Sequence, residues 1–325
     1  MSGEEQYISS TQNPKIKRLL ALQEKSSERR KSGLFVVEGR RELQHCIEAG
    51  YEIESVFVEL KNEESRFARN EELKLPSNPD SNSHSSFFTL HSSLKNIFTV
   101  SPHVYERIAY RGSTEGVVAI VKARHLTLGD ISCAALPPTG SEGVNGLTRC
   151  QAVLSDRSRT PLLRTGKVGR GALFIVLESV EKPGNLGAVL RSADAAGATA
   201  VIVCDPLTDL YNPNLIRASI GACFTVPTVA CSSEDCIRFL KTHGVQILTA
   251  QLQDSHLYYD TDMTGPTAIV MGTESTGLTD QWRQAADAHI RIPMLGRLDS
   301  LNVSVSAAIL LFEAVRQREN MGLST

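Results

Sequence analysis

Short apolar runs and amphipathic segments alternate along the first part of the chain, between residues 33 and 122. A short apolar run is typical of a strand, and apolar positions at helical spacing are typical of a helix. On this basis strands are predicted at 34–37, 53–58, 87–90 and 116–121, and helices at 38–47 and 92–98. The alternation predicts a small α/β/α domain, which together with a helical arm over 12–32 would occupy residues 1–122.

The same alternation returns, more regularly, from residue 171 to the end of the chain. Strands are predicted at 173–177, 200–204, 226–230, 245–250, 268–271 and 289–292, the last as an edge strand, and helices at 184–197, 212–220, 233–243, 278–286 and 302–318. Strands that are apolar almost throughout, with helices between them, predict a parallel sheet covered on both faces. We therefore expect a second α/β domain over 171–325.

Residues 123–170 interrupt this pattern with Pro137-Pro138, several Gly and Ser residues and few apolar runs. Such a stretch is longer than most connections within a domain and predicts a linker or an insertion at a domain boundary. It also carries basic residues, concentrated between 145 and 170. A flexible tether, an inserted segment and an additional nucleic-acid contact all remain open, and the basic residues slightly favour the contact.

Composition excludes some classes of protein and leaves others open. The 325 residues are 41% hydrophobic and 22% charged, which is ordinary for a globular protein, and no apolar run is long enough to cross a membrane. The N-terminus lacks the apolar core of a secretory signal, so a cytoplasmic protein is expected. Seven cysteines form no C-x-x-C pair and eight histidines are scattered, so reduced thiols and no metal site are expected.

Basic residues are concentrated in the first 41 positions, although the formal net charge of the whole chain is only −2. A local cluster matters more than net charge for contact with phosphate groups. One cluster alone is most often a solvated face, but a second one between 145 and 170 favours a nucleic-acid partner. The candidate contacts are Lys15, Lys17, Arg18, Arg40 and Arg41.

Three polar stretches of the second domain each lie where a predicted strand gives way to a helix or loop. The first is Asn185-Leu-Gly-Ala-Val-Leu-Arg191, in which Asn185 is expected to cap the helix and Arg191 to project over the small residues Gly187 and Ala188. A guanidinium exposed in this way can bind a phosphate through two hydrogen bonds. The alternative is that Gly184 and Gly187 are turn and packing residues and that Arg191 is an ordinary surface arginine.

The second and third stretches are Met271-Gly-Thr-Glu-Ser-Thr-Gly277 and Ser300-Leu-Asn-Val-Ser304. Gly272 is expected to let a ligand approach the backbone, and Gly277 to permit a tight turn. Glu274 is either a structural acid or part of a site, and Ser300 and Asn302 are either helix caps or site residues. The helix that follows is apolar nearly all round and is expected to be buried in a core or against another subunit. Because ligands of α/β proteins bind beyond the carboxyl ends of the strands, the three stretches predict one shared pocket.

Taken in order, the three stretches resemble the sequence motifs of the SpoU/TrmH branch of the SPOUT RNA methyltransferases. The resemblance covers about 171–318, and a weaker one over about 33–122 is to the family's L30/L7Ae-like RNA-binding domain. The resemblance to the SpoU/TrmH methyltransferases implies a parallel-sheet domain with a deep trefoil knot and a homodimer formed through the terminal helix. It also implies transfer of a methyl group from S-adenosyl-L-methionine to a ribose 2′-hydroxyl of RNA.

The resemblance also assigns roles to individual residues. The catalytic positions of the family fall on Asn185, Arg191, Glu274, Ser300 and Asn302. Its knot loops hold the cofactor largely through backbone groups, which implies binding by Ala250, Gly272, Ile292 and Leu301. Arg191 is expected to orient the phosphate beside the reacting hydroxyl, since an arginine that is always charged is an awkward general base.

Ribosomal RNA is the expected substrate, and transfer RNA is the alternative. A non-catalytic RNA-binding protein of the same fold is a further possibility, but such a protein would not need all five catalytic positions. A nucleotide-dependent oxidoreductase is disfavoured because the chain has no G-x-G-x-x-G fingerprint at its strand-to-helix turns.

Overall fold

The computed structural model describes residues 6–60, 96–109, 116–131, 171–273, 276–297 and 300–320. The chain divides into two compact units. The first comprises residues up to Arg124 together with Tyr211–Pro213, and the second runs from His125 to Leu210 and from Asn214 onward. The predicted strand at 87–90, the basic cluster at 145–170 and Glu274 lie outside the described residues.

The first unit contains a mixed five-stranded sheet. Its strands are β1 (Gln6–Ile8), β2 (Leu34–Glu38), β3 (Ile53–Glu59), β4 (Ile97–Val100) and β5 (Val117–Lys122). They lie in the order β1-β4-β3-β5-β2. Strands β1 and β3 run parallel to β4, whereas β5 is antiparallel to both β2 and β3. The helices of this unit are Pro14–Glu24, Ser26–Ser32, Arg40–Glu48 and Pro102–Ile108.

Two predictions for this unit were wrong. The helix predicted at 92–98 is wrong over its described end, because residues 97–98 belong to β4, where Phe98 and Val100 are buried and alternate with less buried neighbours. The predicted helical arm is two helices divided at Lys25, whose backbone is extended. The first helix is not an arm, because Ile16, Leu19 and Leu22 are all buried in the core of the unit.

The second unit contains a seven-stranded sheet. Its strands are β6 (Leu173–Glu178), β7 (Ala200–Cys204), β8 (Thr228–Cys231), β9 (Gln246–Ala250), β10 (His256–Leu257), β11 (Thr267–Met271) and β12 (Ala288–Arg291). They lie in the order β10-β12-β9-β11-β6-β7-β8, and every pairing is parallel. This confirms the predicted parallel-sheet fold. The helices are Pro183–Ala196, Pro213–Ser219, Ala222–Thr225, Ser233–Thr242, Asp280–Ala285 and Val303–Asn320.

The strand predicted as an edge, β12, is not one. It pairs with β9 on one side and with the two-residue β10 on the other. The strand β10 is too short to show a hydrophobic period and could not be predicted from the sequence. Without β10, β12 takes the edge position in the predicted sheet.

Buried side chains cover both faces of this sheet. One face packs against the helix Pro183–Ala196 and the terminal helix Val303–Asn320, and the other packs against residues that include Trp282 and Leu240. The terminal helix is further fixed by the buried Arg318, whose guanidinium donates to the carbonyl oxygens of Gly171, Ala172, Met263 and Gly265 at 2.6–3.2 Å. Among the described residues, no helix is long and apolar enough to cross a membrane.

Candidate active site

A cavity of about 370 Å³ lies at the carboxyl ends of β9, β11 and β12, where the second and third polar stretches meet. Its size is within the range of small-molecule sites. All four residues expected to hold a cofactor line it, namely Ala250, Gly272, Ile292 and Leu301. Ser300 lines it as well, and Ser306 and Leu310 of the terminal helix close one side.

The loop after β11 folds back on itself, and this requires a glycine at position 272. A Cβ built on Gly272 would lie 2.2 Å from the carbonyl carbon of Gly277, which is too close for any side chain. Thr273 and Gly277 exchange backbone hydrogen bonds of 3.1 and 3.3 Å, and Gly277 has a left-handed φ of 68°. The tight turn predicted at Gly277 is confirmed. Gly272 was expected to let a ligand approach the backbone. In the structure, the space that its missing side chain leaves is filled by the backbone of Gly277.

Gln251 provides an unused hydrogen-bond acceptor in the wall of the cavity. Its Nε2 donates to the carbonyl oxygen of Gln253 at 2.9 Å, while its Oε1 is buried and has no partner among the described residues. A buried polar atom without a partner is costly, so a ligand that donates a hydrogen bond here would be favoured. Sequence reasoning missed Gln251, although its position directly after the end of β9 was a usable signal.

Asn185 and Asn302 join the first polar stretch to the third. The Nδ2 of Asn302 donates to the Oδ1 of Asn185 at 3.1 Å, although 116 residues separate them along the chain. Asn302 also caps the terminal helix, because its Oδ1 accepts from the backbone N of Ser304 at 3.0 Å. Asn185 is not a cap, since the helix begins at Pro183, two residues earlier. The structure therefore brings these two predicted site residues together beside the cavity-lining Leu301.

Arg191 lies on the same helix as Asn185 but is not among the residues lining the cavity. Six residues of helix place it about 9 Å farther along the axis. Its side chain is exposed, as expected, and makes no hydrogen bond or ion pair with another described residue. Gly187, in contrast, is a packing residue: a Cβ there would lie 2.6 Å from the Cβ of Ala218.

The candidate RNA contacts all belong to two helices of the first unit. Lys15, Lys17, Arg18 and Arg41 are exposed, and Arg40 is half-buried. The Nη1 of Arg18 forms an ion pair with the Oε1 of Glu54 at 2.8 Å. The Nζ of Lys15 lies 4.8 Å from the centre of the Phe98 ring. The nearby Arg29 is no part of this surface, since it is buried and donates to the carbonyl oxygens of Leu22 and Gln23.

Comparison with known proteins agrees with this arrangement. The sequence model of the SpoU rRNA Methylase family matches residues 172–312, and that of the MRM3-like substrate binding domain matches residues 13–119. The chain is 37% identical over 186 residues to a 23S rRNA (guanosine-2′-O-)-methyltransferase RlmB from Xanthomonas axonopodis pv. citri, a match that covers 54% of this chain and 74% of the relative. The chain belongs to the SpoU rRNA methylase family.

Other members of the family and of the fold give the same result. The RlmB of Vibrio parahaemolyticus is 42% identical over 147 residues, which cover 45% of this chain and 60% of that protein. A crystal structure of an RNA 2′-O ribose methyltransferase has 34% identity and a TM-score of 0.66, covering 96% of this chain and 99% of its own. An AdoMet-bound rRNA methyltransferase from Sinorhizobium meliloti has 26% identity and a TM-score of 0.73, covering 97% and 98%. The SPOUT-type fold expected for this SpoU protein is confirmed.

Proposed function

We propose that this SpoU-family protein transfers the methyl group of S-adenosylmethionine to a ribose 2′-hydroxyl of ribosomal RNA. The observation that carries the proposal is the cavity at the carboxyl ends of β9, β11 and β12, which is lined by all four residues expected to hold the cofactor. The AdoMet-bound structure of the Sinorhizobium meliloti relative supports the choice of cofactor.

The walls of the cavity suit the chemical groups of S-adenosylmethionine. Apolar side chains, among them Leu278, Ile290 and Leu310, offer a surface for an aromatic base. The Oε1 of Gln251, which has no partner among the described residues, offers an acceptor for an amino or hydroxyl group. When bound, the cofactor supplies an electrophilic methyl group on a sulfonium ion.

The residues of the chain position the nucleophile. A ribose hydroxyl is weakly reactive, and holding it in line with the methyl group can contribute roughly 7–11 kcal/mol. Arg191, exposed and without a protein partner among the described residues, binds the phosphate next to the reacting hydroxyl. Asn185, Ser300 and Asn302 form the polar wall beside it, and Glu274, which lies outside the described residues, completes the set.

The names of the relatives support ribosomal RNA as substrate, and basic residues of the first unit support binding of RNA. The RlmB relatives from Xanthomonas and Vibrio are named as 23S rRNA methyltransferases. Lys15, Lys17, Arg18, Arg40 and Arg41 bind phosphates of this RNA, and a substrate-binding family model covers all five. Action on ribosomal RNA would place the protein in the cytoplasm.

The terminal helix supports a homodimer. Its buried face includes Ala307, Leu311 and Ala314, but its opposite side leaves Val305 and Phe312 about half exposed, at 47% and 48%. These two residues are seven positions apart, so they lie on one stripe of the helix. Exposed apolar stripes of this kind mark interaction surfaces. One side of the terminal helix therefore packs in the core, and its exposed apolar side forms an interface that a second copy of the chain covers.

Methyl transfer from labelled S-adenosylmethionine to purified 23S rRNA tests the proposal, with bulk transfer RNA as the comparison substrate. We expect label in the ribosomal RNA and much less in the transfer RNA. Label only in transfer RNA would assign the alternative substrate. Binding of RNA without incorporation into either would identify a non-catalytic member of the fold.

A further inference from the structure

Three cysteines of the second unit come together at the ends of β7 and β8. The sulfur atoms of Cys204, Cys231 and Cys236 all lie within 4.8 Å of one another. Two sulfurs bound to one tetrahedral Zn²⁺ lie about 3.8 Å apart, as follows from a Zn–S bond of about 2.3 Å. The three sulfurs are therefore close enough to reach one ion after small changes of side-chain rotamer.

We propose that Cys204, Cys231 and Cys236 form a binding site for a thiophilic metal ion, with Zn²⁺ as the ion. Such a site is independent of the methyl-transfer reaction. It would join the ends of two strands to the start of the helix Ser233–Thr242, and so stabilise the carboxyl edge of the sheet on the side of β7 and β8.

The sequence did not reveal this cluster, because its ligands do not follow a linear spacing. Cys204 ends β7, and Cys231 ends the neighbouring β8 directly opposite it in register. Cys236 lies near the start of the helix that follows. The fold, not a C-x-x-C pair, places the three thiols together, and the expectation of no metal site depended only on spacing.

Hydrogen bonds hold the backbone around the cluster in place. Asp205, which follows Cys204, has a left-handed φ of 47°, and its N–H donates to the carbonyl oxygen of Cys231 at 2.9 Å. The Oδ2 of Asp205 accepts from the Oγ of Ser233 at 2.6 Å. Trp282 in turn donates from Nε1 to the same Ser233 Oγ at 3.0 Å. The strand end and the helix start are thus tied together, and a site that is formed in advance costs less to bind an ion.

The N-terminus of the helix Ser233–Thr242 favours negative charge beside the three sulfur atoms. Cys204 and Cys236 are buried, whereas Cys231 is half-buried and lines a surface pocket together with Asp235 and Arg238. An ion could enter from this pocket and take its fourth ligand there, from water or the Asp235 carboxylate.

Metal analysis of the reduced full-length protein tests the proposal. The protein is equilibrated with Zn²⁺, unbound metal is removed, and the retained zinc is measured; we expect one ion per chain. Replacement of the zinc by Co²⁺ should give the intense near-ultraviolet absorption of cobalt–thiolate bonds. Cys231→Ser should weaken Zn²⁺ binding by more than about 100-fold, since loss of even an outer-shell partner costs 10–100-fold. Cys223→Ser, in the same unit and half-buried, is the matched control and should bind Zn²⁺ normally.

A second measurement does not depend on whether the variant folds. In the unmodified protein, Zn²⁺ should slow alkylation of Cys231 by iodoacetamide and leave that of Cys223 unchanged. Zinc-free protein after equilibration, equal retention by Cys231→Ser, or unchanged alkylation of Cys231 would each overturn the proposal. A disulfide between two of the three cysteines in protein purified without reductant, with no zinc retained, would overturn it in favour of a redox pair.

Discussion

Single hydrogen bonds decide what several residues of the candidate site do. Asn185 and Asn302 were both expected at helix starts, where asparagine commonly caps exposed amides. Only Asn302 acts as a cap, and it uses its second polar group to reach Asn185. A local preference was readable from the sequence, but the contact between two residues far apart in the chain is a property of the fold. The same holds for Gln251, because only the folded cavity shows that its Oε1 has no partner within the described part of the chain.

Replacing Arg191 by Ala should separate substrate positioning from cofactor binding. Because Arg191 does not line the cavity, calorimetry should give an unchanged Kd for S-adenosylmethionine. Methyl transfer to RNA should fall by about 100-fold or more, the cost typical of losing a preorganised charged contact in the transition state. Lys241→Ala, an exposed cation of the same unit, is the control and should keep full activity. Strong residual transfer by Arg191→Ala would refute the positioning role.

Replacing Gln251 by Ala should weaken cofactor binding without harming the free protein. The lost acceptor is worth roughly 1–1.5 kcal/mol, so the Kd for S-adenosylmethionine should rise about tenfold. The Tm of the ligand-free protein should change little, because the loss of the Nε2 hydrogen bond to Gln253 is offset by removal of an Oε1 that has no partner among the described residues. Gln284→Ala, which changes an exposed glutamine of the same unit that does not line the cavity, should leave the Kd nearly unchanged. Equal effects of the two substitutions would contradict this role of Gln251.

At the scale of elements, the loop after β11 depends on close backbone contact. In the Gly272→Ala variant, the new Cβ would lie 2.2 Å from the carbonyl carbon of Gly277 and would force the two backbone segments apart. We expect a loss of about 1–3 kcal/mol in the free energy of unfolding, measured by urea denaturation, and weaker cofactor binding. Gly296→Ala has open space around the new methyl group and serves as the control. A Gly272→Ala protein of normal stability and affinity would show that this loop adapts easily.

Elements with a strong local signal could be predicted from the sequence. The strands β6, β7, β9 and β11 are buried almost throughout, and their apolar runs predicted them to within one or two residues. Predictions failed where the signal was short or depended on pairing. The strand β4 has only four residues, and β10 has two, so neighbouring strands determine their conformation more than their own pattern does. The short helix Ala222–Thr225 was missed for the same reason.

The same distinction between local signals and features that depend on the fold applies to the sites. Its glycines, and the loops that carry them, could be found because strand ends with polar residues are visible in the sequence. The gathering of Cys204, Cys231 and Cys236 could not, because it results from strand register and from the position of one helix. Resemblance to a family predicted which loops hold the cofactor, but it contained nothing about these thiols.

At the scale of the whole molecule, the apolar stripe of the terminal helix predicts self-association. Phe312→Asp places a charge in the proposed interface and should convert a dimer to a monomer in sedimentation velocity experiments. Phe312→Leu keeps an apolar side chain and should remain dimeric. A wild-type protein that is monomeric at micromolar concentration would contradict the proposed homodimer, and so would a dimer that is unaffected by Phe312→Asp.

We propose that this protein methylates a ribose 2′-hydroxyl of ribosomal RNA, with Arg191 holding the substrate beside the cavity. The most direct measurement maps 2′-O-methyl groups, by their resistance to alkaline cleavage, in total RNA from cells with the gene, without it, and with the Arg191→Ala variant. We expect one position in 23S rRNA to lose its protection in the second and third strains alike. Identical maps in all three strains, or a loss confined to transfer RNA, would contradict methylation of ribosomal RNA by this protein.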